Sequence, residues 1–340
     1  MRNILILFAI LFMIPESSFA GVKAIYGDDN RKDYYETTPV RQQLSDSVVS
    51  FWKSGDVINK GVMSELEVSI FGRYYNLCDG ERFENQYIGA FCSGALISDD
   101  LVMTAAHCVK TEDACKNTKL VFGFKVSAAG QPGTYDIPSS DVYSCKKIEA
   151  SFYHGRDTET GHQGENALSD YAIIRLDRKV SGHKPLAINW GKGLKEGDGI
   201  FVIGYPTGIP LKVADGAKVR SAKYSAFYQT DLDTFGGNSG SPVFNEKTNA
   251  IEGILVRGGA DFVNTPEGCK AYAKTGQNEG RGEDVTKVSE AIPSLMKLLG
   301  QNNATAERSV NNNEPESVKF VPPAQPDFEL SKKLKSKIKF

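Results

Sequence analysis

The sequence lacks an excess of either charge and lacks an apolar run long enough to span a membrane. It has 340 residues, with 40 Lys and Arg against 42 Asp and Glu. A net charge of -2 gives no electrostatic reason to expect a nucleic-acid partner. The longest apolar run, Ile4–Ile14, is well short of the roughly 20 residues that a membrane-spanning helix needs. We therefore expect neither a nucleic-acid binder nor a transmembrane segment, and with 40% hydrophobic residues we expect a globular protein.

The first 20 residues have the pattern of a secretory signal peptide. Arg2 precedes the apolar run, and Ser18 and Ala20 place small residues at the -3 and -1 positions of a cleavage site. An N-terminal core segment is the alternative, but it seldom combines all three features. We expect residues 1–20 to be a signal peptide and the mature protein to be secreted or periplasmic.

The six cysteines form an even set in a chain predicted to be exported, which favours disulfides over free catalytic thiols. His154, His162 and His183 lack the close spacing with Cys or acidic residues that marks a zinc site, so they are interpreted as surface or loop histidines. We expect no metal and no cofactor.

Composition divides the rest of the chain into three parts. Residues 21–45 are polar and are predicted to form a leader or surface strap before a domain over residues 46–300. In that domain, short runs rich in Val, Ile, Tyr and Phe, such as 119–124 and 199–204, recur between Gly, Asp and Asn turns, which is typical of an all-β fold. Helical spacing near the end predicts one closing helix, with Pro293 in its first turn.

Residues 301–340 differ in composition from the domain. Asn-rich and Pro-rich stretches with few apolar residues predict a disordered linker. The last stretch, 330–340, holds five Lys, with Leu330, Leu334 and Ile338 at helical intervals. It is either a basic amphipathic helix that binds an anionic membrane or partner surface, or a solubilising tail.

Three segments carry residues suited to acyl-bond hydrolysis. Ser239 lies among glycines, and a serine nucleophile needs a base that accepts its proton and a carboxylate that orients the base. His107 and Asp170 are the candidates for these two roles. Backbone N–H groups must also face the developing oxyanion, and Gly237 and Ser239 would donate them.

Chain order excludes other serine-hydrolase folds. An α/β-hydrolase places its His after the nucleophile, but all four histidines here precede Ser239. The subtilisin order puts Asp first, on an α/β sheet with many helices that this strand-rich sequence does not offer. The order His, Asp, Ser on β-barrels remains.

These motifs resemble the chymotrypsin-like (trypsin-like) serine protease family over roughly residues 24 to 300. The segments 104–108 (TAAHC) and 169–174 (SDYAII) match the His and Asp motifs, while 237–242 (GNSGSP) and 204–206 (GYP) look most like the bacterial glutamyl endopeptidase branch. The resemblance implies two six-stranded antiparallel β-barrels with a C-terminal helix, and protein or peptide substrates. It also implies a disulfide between Cys92 and Cys108, which would close the loop that carries His107.

Two positions depart from the family pattern. Asn238 stands where animal digestive members have the Asp that receives a new N-terminal ammonium, and an amide cannot form that ion pair. Val256 stands where a Ser often supports the catalytic Asp.

The primary specificity pocket is expected to include Asp233, Thr234 and Gly258. Asp233 lies six residues before Ser239, where the family places the floor of this pocket, so cleavage after Arg or Lys is predicted. The alternative is that Asp233 points away from the pocket, since Phe235 replaces the Cys that often braces this wall. Glutamyl endopeptidase specificity is an alternative, although the strand 253–259 lacks the His which that branch uses. A protease-like binding or adhesion protein without turnover is another.

The remaining cysteines, Cys78, Cys115, Cys145 and Cys269, allow three pairings. Pairing Cys115 with Cys145 and Cys78 with Cys269 is the favoured one.

Overall fold

The computed structural model of the chain describes residues 24–153 and 169–299, and strands account for most of its regular structure. The strands of these residues are, in chain order, β1 (Ile25–Tyr26), β2 (Arg31–Asp33), β3 (Val48–Lys53), β4 (Val57–Asn59), β5 (Met63–Leu66), β6 (Ser69–Ile70), β7 (Tyr87–Ile88), β8 (Cys92–Leu96), β9 (Leu101–Thr104), β10 (Thr118–Val121), β11 (Asp136–Pro138), β12 (Val142–Tyr153), β13 (Asp170–Leu176), β14 (Gly199–Gly204), β15 (Lys212–Ser221), β16 (Phe227–Thr230), β17 (Pro242–Asn245), β18 (Ile251–Arg257), β19 (Phe262–Asn264), β20 (Lys270–Tyr272), β21 (Lys274–Thr275) and β22 (Glu283–Lys287). The α-helices of the same residues are α1 (Pro39–Ser45), α2 (Phe71–Tyr75), α3 (Glu112–Lys116) and α4 (Val288–Leu298).

The first barrel is a closed ring of six strands in the order β3, β8, β9, β13, β12 and β10. All of its neighbouring strands pair antiparallel. Alternate side chains of these strands point inward, and residues such as Phe51, Val102 and Ile174 are completely buried. Asp170 is the first residue of β13, so the barrel fixes the start of that strand beside the end of β9.

The second barrel is built from β14, β17, β18, β22, β16 and β15, and the pairing of β14 with β15 closes it. These pairs are also antiparallel. Ile200, Val243 and Val285 are fully buried in its core. The prediction of an all-β protein with two six-stranded antiparallel barrels is confirmed.

The C-terminal helix is confirmed, but its predicted start was wrong. Helix α4 begins at Val288, and Pro293 lies inside it rather than in its first turn. The chain passes directly from β22 into the helix, which buries Val288, Ala291 and Leu295 on one face. The short helices, such as α3, were not predicted. Helix α3 begins where the Thr111 hydroxyl accepts a hydrogen bond from Ala114 N.

The segment predicted as a leader or surface strap is more than a surface feature. Ala24, Ile25 and Tyr26 are completely buried. Strand β1 pairs in parallel with β21, and β2 pairs antiparallel with β15 of the second barrel. Strand β2 is therefore hydrogen-bonded to the barrel that carries Ser239, whereas β1 and β21 form a separate two-stranded sheet.

Arg31 anchors this segment and is completely buried. Its Nε and one terminal nitrogen each donate to the Asp29 carboxylate at 2.8 Å. The guanidinium lies 4.1 Å from the ring centroid of Phe235 and 4.8 Å from that of Tyr272, both of which can stabilise a cation.

Three disulfides cross-link the described residues. Cys92 is bonded to Cys108, Cys115 to Cys145 and Cys78 to Cys269. Both the pairing implied by the family resemblance and the favoured pairing of the other four cysteines are confirmed.

No helix of the described residues is long and apolar enough to cross a membrane. The predicted signal peptide and the predicted linker and basic tail lie outside the described residues, so both stay predictions.

We predict that Arg31→Met lowers the free energy of unfolding by about 3 kcal/mol, because it removes one partner of a buried ion pair. Lys32→Met is the matched control, since the Lys32 side chain is 49% exposed, and it should cost less than about 1 kcal/mol. Urea unfolding of the two variants measures the difference. Equal losses would show that the buried guanidinium does not anchor the segment.

Candidate active site

His107 and Asp170 are joined by a short hydrogen bond. His107 lies in a 3₁₀ turn, Ala106–Cys108, that follows β9, and the register of β9 with β13 brings Asp170 beside it. The distance from His107 Nδ1 to Asp170 Oδ2 is 2.7 Å. Because the carboxylate accepts, Nδ1 carries the hydrogen of the neutral ring and Nε2 keeps its lone pair.

The Asp170 carboxylate is held by main-chain donors. It is 2% exposed, and its Oδ1 accepts from Ala106 N at 2.7 Å and from His107 N at 3.2 Å. These two N–H groups support the carboxylate although Val256, at the position of the usual Ser, has no donor to offer. The Asp170 N–H in turn donates to the Thr286 hydroxyl of the second barrel at 3.2 Å.

Two glycines make the turn around Ser239 possible. Gly237 and Gly240 have φ values of +87° and +86°, which L side chains rarely adopt. A Cβ on Gly237 would lie 2.6 Å from the Tyr205 carbonyl oxygen, and one on Gly240 would lie 2.2 Å from the Ser93 carbonyl oxygen. Both positions therefore require glycine for conformation and for space.

Ser93 of the first barrel holds the Ser239 turn in place. Its N–H donates to the Ser239 carbonyl oxygen at 2.9 Å, and its hydroxyl donates to the Gly237 carbonyl oxygen at 2.9 Å. These contacts fix both carbonyl groups, and in the described residues the N–H groups of Gly237 and Ser239 donate to no acceptor. Two free backbone donors thus lie beside the serine.

Asn238 holds the turn without a charge. It is 2% exposed, and its Oδ1 lies 3.3 Å from the Ser241 hydroxyl, which donates to it. Its own N–H donates to the Phe235 carbonyl oxygen at 3.1 Å. Neutral hydrogen bonds therefore occupy the position at which animal digestive members have an ion pair.

One cavity of about 600 Å³ is lined by His107, Asp170 and Ser239 together. Thr234 and Gly258, which were expected in the specificity pocket, line the same cavity. In the described part of the chain no hydrogen bond joins His107 to Ser239. Such contacts are often long before a substrate binds.

A family model for the trypsin-like peptidase domain matches residues 92–254. Trypsin epsilon from Drosophila erecta is 24% identical over 217 residues, which cover 55% of this chain and 77% of that protein. The match over residues 92–254 therefore identifies a trypsin-like peptidase domain and supports the resemblance to the chymotrypsin-like serine protease family. The secreted RxLR effector protein 73 from Plasmopara viticola is 29% identical over 182 residues, which cover 50% of this chain and only 42% of that protein.

Two solved structures are also similar to this chain. A Glu endopeptidase in complex with MPD has 17% identity and a TM-score of 0.45, over 82% of this chain and all of that one. Human heparin binding protein has 15% identity and a TM-score of 0.46, over 81% of this chain and 98% of that one.

The Asp233 side chain does not line the cavity, so it does not form the floor of the expected specificity pocket. Its two carboxylate oxygens accept from Tyr26 N and Asn30 N, both at 2.8 Å. Burial raises the pKa of Asp233 to about 6. The expectation for this residue was wrong because its carboxylate satisfies the backbone of the N-terminal segment, a contact more than 200 positions away in sequence.

Glu283 and Asp261 are the cavity carboxylates that the sequence analysis missed. Glu283 is 2% exposed and accepts hydrogen bonds from Thr234 Oγ1 at 2.6 Å, Gly259 N at 3.1 Å and Tyr26 Oη at 3.2 Å. Asp261 Oδ2 accepts from Gly236 N at 2.9 Å. Burial raises the pKa of Glu283 to about 8 and that of Asp261 to about 6. The local sequence offers no signal for Glu283 beyond an acidic residue at the start of β22.

Of the three histidines outside the candidate site, the structure describes only His183. His183 lies in a loop, as one of the two predicted alternatives has it, but its side chain is mostly buried. It stacks on Phe122 with ring centroids 4.0 Å apart, and its Nδ1 lies 2.5 Å from the Asp46 carbonyl oxygen. His154 and His162 lie outside the described residues. The close group of Cys92, His107 and Cys108 offers no thiolate for a metal, since both cysteines are in a disulfide.

We predict that Glu283 makes the protein less stable as the pH rises. Its folded pKa of about 8 lies above its ordinary value of 4.5, so the folded state binds the extra proton between these pH values. Its contribution is complete below pH 4.5 and is lost through about pH 8, with a slope of at most about 1.4 kcal/mol per pH unit.

Urea unfolding of the wild type and of Glu283→Gln between pH 5 and pH 9 measures this contribution. The amide does not titrate, so the difference between the two proteins should change with pH in the stated direction. A constant difference would contradict a raised pKa.

Proposed function

We propose that this chain is a serine endopeptidase that hydrolyses peptide bonds through an acyl-enzyme. The observation that carries the proposal is the 2.7 Å hydrogen bond from His107 to the buried Asp170, in a cavity that Ser239 also lines. A base fixed in one tautomer next to a serine is the arrangement that nucleophilic acyl transfer requires.

In the proposed reaction, Ser239 Oγ attacks the carbonyl carbon of the scissile bond and its proton passes to His107 Nε2. The N–H groups of Gly237 and Ser239 would donate to the oxygen that becomes negative. His107 then gives the proton to the leaving amine, and water hydrolyses the acyl-enzyme by the same route. Asp170 keeps the imidazole oriented and stabilises its charged form.

Three disulfides among the described residues favour an oxidising compartment. Together with the predicted signal peptide, they support the proposal that the protein acts outside the cytoplasm, as a secreted or periplasmic enzyme.

We propose that the enzyme cleaves after Arg or Lys, and that Glu283 and Asp261, rather than Asp233, determine this preference. In their ionised forms, the two cavity carboxylates Glu283 and Asp261 would attract a cation and repel a substrate Glu. Strand β18 carries no His that could pair with an acidic side chain.

A fluorophosphonate label tests the nucleophile. The wild type should react and Ser239→Ala should not, whereas Ser241→Ala should still react because Ser241 is a second serine of the turn that does not line the cavity. Absence of labelling in folded, matured wild type would favour a protease-like binding protein without turnover.

Replacement of Ser239 or His107 with Ala should lower kcat by several orders of magnitude, about a millionfold in a serine protease of another fold. The double variant should be scarcely slower than either single variant, because the two side chains act as one unit. Peptide turnover and circular dichroism of the three variants separate loss of chemistry from loss of fold. Additive losses would contradict a shared role.

A further inference from the structure

Glu283 contributes a carboxylate to the cavity although it is almost completely buried. It is 2% exposed and lines the same cavity as Ser239. A Cβ built on Gly258 would lie 1.7 Å from Glu283 Oε2. Because glycine has no side chain, position 258 leaves room for the Glu283 carboxylate at the cavity wall.

This carboxylate has no cationic partner. Its donors are two hydroxyls and one backbone N–H, all neutral, and within residues 24–153 and 169–299 no ion pair involves it. The cations of the cavity wall have other contacts. Arg257 Nε donates to Asp284 Oδ2 at 3.1 Å, and Lys110 Nζ lies 5.6 Å from the ring centroid of Tyr153.

We propose that Glu283 binds the guanidinium or ammonium group of an Arg or Lys side chain that precedes the scissile bond, an inference that rests on the proposed endopeptidase function. The incoming cation supplies the partner that the buried carboxylate lacks. Asp261 on the same wall adds a second negative charge and disfavours an acidic substrate side chain at this site.

The N-terminal segment positions Glu283. Tyr26 donates its hydroxyl hydrogen to Glu283, while its N–H donates to Asp233. Asp233 thus supports the pocket from behind by holding Tyr26. Its removal should affect folding of the segment rather than the charge that a substrate meets.

The ionisation of Glu283 gives the proposal a distinctive pH dependence. The pKa of Glu283 is raised to about 8 by burial, and the titratable groups that face it are Tyr26 and Asp261. A bound cation favours the ionised carboxylate, so preference for Arg over a neutral side chain should increase as the pH rises through about 8. The ratio of two substrates cancels any pH dependence of the chemical step that both substrates share.

The experiment compares kcat/KM for peptide esters that differ only in the residue before the ester: Arg, Lys, Gln or Glu. Wild type should prefer Arg and Lys. Glu283→Gln should lower the Arg to Gln ratio by about 10- to 100-fold, because it removes a charge-assisted hydrogen bond, while turnover of the Gln ester continues.

Two variants control for fold and charge. Glu283→Asp keeps the charge and should keep a preference for cations. Glu252→Gln is the matched control, because Glu252 of β18 is equally buried but does not line the cavity, and it should leave the Arg to Gln ratio unchanged. The proposal would be overturned if Glu283→Gln left the ratio unchanged or if Glu252→Gln abolished it. A wild type that cleaves mainly after Glu would also overturn it, and that result needs no variant to fold.

A binding measurement separates this proposal from the proposed function. Ser239→Ala, which cannot turn over, should bind benzamidine more tightly than its neutral analogue benzamide by calorimetry, and the added Glu283→Gln substitution should remove the difference. Equal binding of the two compounds would overturn the role of Glu283 whether or not the protein is an enzyme. If the protein binds benzamidine more tightly than benzamide but no fluorophosphonate labels it, cation binding by Glu283 would be supported and only the proposed endopeptidase function would be rejected.

Discussion

The hydrogen bonds of Ser93 are the constraint on which the geometry of the candidate site depends. This buried residue of β8 binds the Ser239 turn through two carbonyl groups, and its own carbonyl oxygen accepts from the Thr104 hydroxyl at 2.7 Å. Thr104 ends β9, the strand that leads to His107. Ser93 therefore fixes both the Ser239 turn and the approach to His107, which lie on different barrels. The hydrogen bonds of Ser93 therefore determine the position of Ser239 relative to His107 more directly than any contact between these two side chains.

The second barrel carries a different constraint, since it buries acidic groups with few cations to balance them. Asp233, Asp261 and Glu283 all have raised pKa values because burial disfavours their charged forms. Their hydrogen bonds from backbone and hydroxyl donors satisfy the oxygens without neutralising the charge. Groups of this kind cost folding free energy, and they are expected where a site must attract an opposite charge. The acids that line the cavity fit that expectation better than a purely structural role.

Local patterns predicted the strand-rich fold and singled out His107, Asp170 and Ser239, and the family resemblance that these motifs carry implied the two barrels. The strands, the His107 and Asp170 motifs and the glycines around Ser239 are each encoded within a few neighbouring positions. Of the three disulfides, only the Cys92–Cys108 pairing was implied by the family resemblance. The orientation of Asp233 was not predictable in this way, because its carboxylate is turned by N–H groups of Tyr26 and Asn30 that no local pattern connects to it. Glu283 was missed for a related reason. A Glu at the start of a strand is usually solvated, and only the gap at Gly258 makes this one part of a cavity.

The structure separates the support of the nucleophile from the charge of the pocket. Neutral groups hold the Ser239 turn, namely Ser93, the amide of Asn238 and the hydroxyl of Ser241. The carboxylates of Glu283 and Asp261 also line the cavity, and the N-terminal segment contacts Glu283 through Tyr26. Because no ion pair runs through the turn itself, loss of charge at Glu283 need not displace Ser239. Substrate preference and turnover should therefore respond to different substitutions, with the N-terminal segment governing the first through the carboxylate that it helps to position.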